Sequence, residues 1–164
     1  MCVPDRGLCR GFTLVELVLV LMIAGILATV AIPRMVDRSA FQTHGGAAEV
    51  RTALRYAQKL AMAKNRVVCV ATTPTNLTLR FTNPVGGAAC NQIVARPDGD
   101  ASNPTYTVTL PNGINLASAP VTTFRFNAQG RPTNNAGVLL NTVTTLTVGG
   151  TAQIQVEPET GYVH

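Results

Sequence analysis

Few side chains in this sequence could do chemistry, and their spacing argues against most of it. The two histidines are His44, in His44-Gly45-Gly46, and His164. The triplet has the look of an esterase oxyanion loop, but no Gly-x-Ser-x-Gly nucleophile turn accompanies it. Asp98-Gly99-Asp100 offers the oxygens Ca²⁺ takes, without the glutamate and spacing of an EF-hand loop, and reads as a turn. Neither Cys69 nor Cys90 has a second cysteine or histidine at zinc-ligand spacing. We therefore expect no catalytic residue, no metal and no cofactor. The chain does not read as an enzyme.

Three groups of residues remain. Cys2 and Cys9 precede an apolar segment, and Cys69 and Cys90 follow it, so a membrane between them would leave only the second pair in an oxidising space. A Cys69–Cys90 bridge would close a loop of about 20 residues, worth roughly 3 kcal/mol in the chain-entropy account. Arg51, Arg55 and Lys59 fall at i, i+4 and i+8, a stripe that Arg66 nearly joins. They serve as a solvated helix flank or as contacts for a neighbouring subunit, anionic headgroups or DNA. The third is Glu16, alone in a run that otherwise carries no charge.

That run dominates the composition. The 164 residues are 46% hydrophobic but only 13% charged, about half the usual share of a soluble domain. Much of the deficit lies in Leu17 to Ile32, which holds no charged residue. Phe12 to Ile32, as a helix, would be about 32 Å long and match a bilayer core of roughly 30 Å. An intramembrane carboxylate costs on the order of 3 kcal/mol at the centre and is by default functional. An ordinary secretory signal cut near Thr29-Val30-Ala31 would place Glu16 in its apolar core, and a plain anchor would leave it unexplained. Charge gives no orientation: Arg6 and Arg10 precede the run, but Arg34, Arg38, Arg51 and Arg55 follow it.

A third reading comes from resemblance. Arg10-Gly11-Phe12-Thr13-Leu14-Val15-Glu16-Leu17 is similar to the class III signal of type IV pilins and type II secretion pseudopilins. The resemblance implies cleavage after Gly11 by a prepilin peptidase and N-methylation of Phe12. It also implies pairing of Glu16 with the amino terminus of a neighbouring subunit. A buried carboxylate and ammonium offset each other's desolvation and fix axial register.

Beyond Ile32 a helical pattern continues to about Asn65, with Ala47, Val50, Leu54, Ala57 and Ala61 on one face. Pro33 should kink it, and Gly45-Gly46 should mark a weak point. Short β-rich runs follow: 67–71, 77–81, 93–95, 106–110, 114–116, 123–126, 138–140, 146–148 and 153–156. Asn112-Gly113 and Gly149-Gly150 suggest hairpins, and 83–102 reads as a long loop stapled by Cys90.

The carboxy-terminal signals Phe124-Arg125-Phe126-Asn127-Ala128-Gln129-Gly130-Arg131-Pro132 and Glu159-Thr160-Gly161-Tyr162-Val163 resemble the GspH/FimT family of minor pilins and pseudopilins. The family implies low-abundance subunits that prime a filament at the inner membrane. Some FimT-like members contact DNA through a basic Gly-Arg-x-Arg motif. Here that place reads Gly161-Tyr162-Val163-His164, without its arginines; Arg125, Arg131 and the helical stripe could compensate, and Tyr162 could stack on a base.

The reading is an α+β, pilin-like fold, in which a long N-terminal helix packs on an antiparallel β domain. It has a leader over 1–11, a helix over 12–65 with 12–32 transmembrane, and a β-rich domain over 66–164. The expected function is a minor pilin or pseudopilin of a type IV pilus or type II secretion pseudopilus. It would span the inner membrane once, with its carboxy-terminal domain in the periplasm. Its partners would be other pilins, the peptidase and the membrane. The alternative is a DNA-binding subunit at a pilus tip.

Overall fold

The computed structural model describes residues 12–34, 38–83, 87, 89–97, 99 and 104–164. The leader with Gly11, the join at 35–37, and Asp98 and Asp100 lie outside them. The chain divides into two units, Met1–Arg38 and Ser39–His164.

The first unit is helix α1, Leu14–Arg34. The Oγ1 of Thr13 accepts the Glu16 amide at 3.2 Å, satisfying one of the free N–H groups of the first turn. Thr13-Leu14-Val15-Glu16 thus has the spacing of a capping box. The helix runs through Pro33.

In the second unit, α2 covers Arg38–Lys64. It ends at Asn65, whose φ of 49° takes the left-handed conformation. The Asn65 amide then bonds the Met62 carbonyl, and the Arg66 amide reaches back to Ala61, a Schellman ending. The expected apolar face of α2 is buried in full, with Ala53 added to it. The helix continues unbroken through Gly45 and Gly46. At Gly46 a Cβ would stand 2.8 Å from Cδ2 of Leu110, so the missing side chain lets the sheet approach closely.

Among the described residues nine strands follow: β1 Val68–Thr72, β2 Asn76–Phe81, β3 Gln92–Ile93, β4 Thr107–Thr109, β5 Leu116–Ala119, β6 Thr123–Phe126, β7 Pro132–Thr133, β8 Thr144–Val148 and β9 Ala152–Val156. They form two antiparallel sheets. The larger runs β3-β2-β1-β6-β7, with β4 also pairing β2, and the smaller runs β5-β8-β9. Alternation sends Val68, Val70, Leu77, Leu79, Phe124 and Phe126 into the core against α2.

Two expectations are corrected. Asn112-Gly113 makes a turn but no hairpin, because β4 pairs β2 while β5 pairs β8; the turn carries the chain from one sheet to the other. The run 138–140 is not a strand. It makes a single bridge, Leu139 to Thr133, and the neighbouring strand is Pro132–Thr133, which has no apolar alternation to reveal it. The Gly149-Gly150 hairpin is present: both residues have positive φ, and the Thr151 amide closes the turn on Val148.

Cys69 and Cys90 are disulfide-bonded with their Cα atoms 6.1 Å apart. Cys69 lies on the face of the large sheet opposite α2, so the bond fastens the Cys90 segment across that outer face. The Asn83 amide donates to the Ala89 carbonyl, drawing the ends of this segment together.

Candidate functional site

Helix α1 presents what a lone soluble unit would hide. From Phe12 to Ala28 every side chain is exposed, including Phe12 at 72% and Leu14 at 78%. A contiguous apolar surface of that kind belongs against lipid or other apolar helices. Among the described residues no helix is long and apolar enough to cross a membrane; the described side chains of α1 stop at Ala28. Glu16 is exposed one turn inside this surface, and its backbone is held by Thr13.

The basic residues of the second unit serve largely internal purposes. Arg55 donates from Nε and a terminal nitrogen to the carbonyl of Val163, at 3.1 and 3.0 Å. Arg131 pairs with Glu159 at 2.6 Å. Arg125 is only 9% exposed, on the outer face of β6. Arg66 donates to the Thr82 carbonyl and lies over the ring of Phe81. Arg51 is half-buried and Lys59 is exposed. The carboxy terminus is therefore a docking point for α2 more than a free basic tail.

Its details explain the glycines of both carboxy-terminal motifs. Gln58 on α2 donates from Nε2 to the carbonyls of Gly130, at 3.3 Å, and Thr160, at 2.9 Å. Gly130 and Gly161 both have positive φ and meet at this point. A Cβ on Gly130 would press on Sδ of Met62 at 2.9 Å. Beyond it Tyr162 stacks edge-on with His164, and the His164 backbone pairs with Gln155, covering the edge of β9. The sequence reading missed Gln58 and the capping role of Thr13. The Thr-x-x-Glu spacing signalled the second; nothing local signalled the first.

Among the described residues no cluster of three or more histidines, cysteines or acids could hold a metal. Clefts do exist, such as one of about 520 Å³ beside Glu49, Thr52, Arg96 and Tyr106.

Comparison with known proteins decides what this arrangement is. The sequence model of the prokaryotic N-terminal methylation motif matches residues 6–32. That of the type II transport protein GspH matches residues 46–160, most of the chain. The chain belongs to the GspH family. The GspH assignment agrees with curated relatives. The chain is 26% identical over 123 residues to the type IV narrow pilus major component PilA5 of Thermus thermophilus, covering 74% of this chain and 90% of that one. It is 30% identical over 123 residues to a fimbrial protein of Pseudomonas aeruginosa, covering 72% and 80%. The fold is also that of two crystal forms of the type IV minor pilin FimU from Pseudomonas aeruginosa. Their TM-scores are 0.50 and 0.52 at 14% and 13% identity, covering 74% and 77% of this chain and 90% and 89% of theirs. This GspH-family chain is thus of a structural pilin type, with an amino-terminal methylation motif.

Proposed function

We propose that the protein is a minor pilin or pseudopilin that helps prime assembly of a type IV pilus or type II secretion pseudopilus. One observation carries the reading: α1 exposes an apolar surface from Phe12 onward that has to be covered by lipid before assembly and by other helices after it. In this account a prepilin peptidase cuts between Gly11 and Phe12 and methylates Phe12. Residues 12–32 hold the chain in the inner membrane, with the β domain in the periplasm. On assembly, Glu16 meets the amino terminus of a neighbouring pilin and fixes its axial position. The second unit supplies a rigid body whose surface selects neighbours.

The test is mass spectrometry of the membrane-extracted protein together with pull-down of co-expressed pilins. The reading expects a chain beginning at methylated Phe12 and recovery of at least one other pilin. An unmethylated amino terminus at Ile32 would replace it with an ordinary secreted protein.

The DNA-binding alternative draws less support from the second unit. Of its five residues, Arg125 is buried, Arg131 is ion-paired and Arg55 is committed to Val163.

A further inference from the structure

The register of the large sheet places Cys69 directly between two arginines. Cys69 pairs with Arg80 across β1–β2 and with Arg125 across β1–β6. Directly paired residues of antiparallel strands project to the same face with Cβ atoms about 5 Å apart. The Cβ atoms of both arginines therefore flank that of Cys69 on the outer face. Cys69 is only 2% exposed, whereas Cys90 is half-exposed. The segment carrying Cys90 lies over this row: Gly87 lines a cavity of about 250 Å³ together with Arg125 and Thr133.

We propose that the Cys69–Cys90 bond is a directional thiol-exchange site, attacked at Cys90 by a Cys-x-x-Cys-type dithiol, with Cys69 as the leaving group. Cys90 is the more exposed partner, so in this proposal an incoming thiolate attacks there and not at the buried Cys69. A new S–S bond forms to Cys90, the Cys69–Cys90 bond breaks, and its electron pair leaves on the Cys69 sulfur as a thiolate. The reagent's second thiol then attacks the mixed disulfide, passes its proton to the departing Cys90 sulfur, and leaves the reagent as a disulfide. Two electrons have moved from the dithiol to the cystine. A thiolate departs more readily the more its surroundings stabilise negative charge, and in this proposal the arginines paired with Cys69 on both neighbouring strands bring positive charge to its side of the bond. Opening the bond unfastens the Cys90 segment and bares the Arg80–Cys69–Arg125 row.

The test uses the full chain in detergent, with Cys2 and Cys9 replaced by serine. It is treated with reduced glutathione, quenched and mapped by peptide mass spectrometry. The expected result is at least tenfold more glutathione adduct on Cys90 than on Cys69, falling toward parity in urea. Arg80→Gln should lower the reduced fraction at a fixed glutathione ratio several-fold, and Arg80→Lys should restore it. A predominance of Cys69 adduct, or the same ratio in buffer and urea, overturns the proposal. So does an unchanged reduced fraction in a folded Arg80→Gln protein. Should Arg80→Gln fail to fold, the native-against-urea adduct ratio of the parent chain decides alone.

Discussion

Gly161 and Gly130 approach so closely that a Cβ on Gly161 would collide with the carbonyl oxygen of Gly130. The two lie on separate segments, the turn after β6 and the tail after β9, and Gln58 of α2 ties them together. Neither backbone atom is the end of a flexible side chain, so nothing can swing aside.

Gly161→Ala should therefore destabilise the second unit by about 3 kcal/mol, combining left-handed strain with overpacking. Gly137→Ala is the control: its φ is +82°, but nothing lies within 4 Å of the added Cβ. It should cost only about 1 kcal/mol. Thermal melts of the two variants should separate them; equal losses would mean that the contact with Gly130 contributes nothing.

Adjacent glycines in α2 should behave differently. Gly45 has open space around it, and Gly45→Ala should stabilise by about 0.5–1 kcal/mol through helix propensity. At Gly46 the same gain is offset by the displacement of Leu110, and Gly46→Ala should show no net stabilisation. Urea midpoints would read the difference.

The Thr13 cap and the proposed pairing of Glu16 can be separated by a pair of substitutions. Glu16→Gln keeps a side chain suited to a capping box but removes the charge, whereas Thr13→Ala removes the cap and keeps the charge. Thr13→Ala should lose about 1 kcal/mol of helix stability. If the proposed pairing operates, Glu16→Gln should abolish incorporation into filaments and Thr13→Ala only reduce it. Immunoblots of sheared filaments provide the measurement.

DNA binding by the second unit, followed across a salt series, should vanish by about 0.15 M. Charge alone accounts for binding at low salt, since residues 39–164 carry nine Lys and Arg against five Asp and Glu. Retention at that ionic strength, lost on substituting Arg51 or Lys59, would instead support the tip-subunit alternative.

Cys90→Ser should cost about 3 kcal/mol, the loop-closure term for this bridge. Denaturant curves with and without reductant would show it: the variant and the reduced parent chain should coincide.

The sequence made the helices and most strands legible because their evidence is periodic. Ala47, Val50, Leu54, Ala57 and Ala61 repeat at helical spacing and are all buried; Thr123–Phe126 alternates and is a strand with those bounds. Pairing was not legible. Asn112-Gly113 obeys local turn chemistry whether it joins partners or carries the chain between sheets. The apolar run 138–140 looks like a strand, and Pro132–Thr133 does not, because exposure at a sheet edge follows from the neighbours. At the candidate site, Glu16 stood out because charge in an apolar run is costly. The burial of Arg125 and the engagement of Arg55 depend on partners far along the chain, which no spacing encodes.

The bond from Arg55 to Val163 joins residues 108 positions apart. A chain emerging from its amino terminus makes α2 early, yet that helix cannot receive this anchor until Val163 has been released. The core face of α2 likewise waits for β1, β6 and β8 to arrive in turn. Contacts so distant slow folding and leave apolar surface uncovered meanwhile.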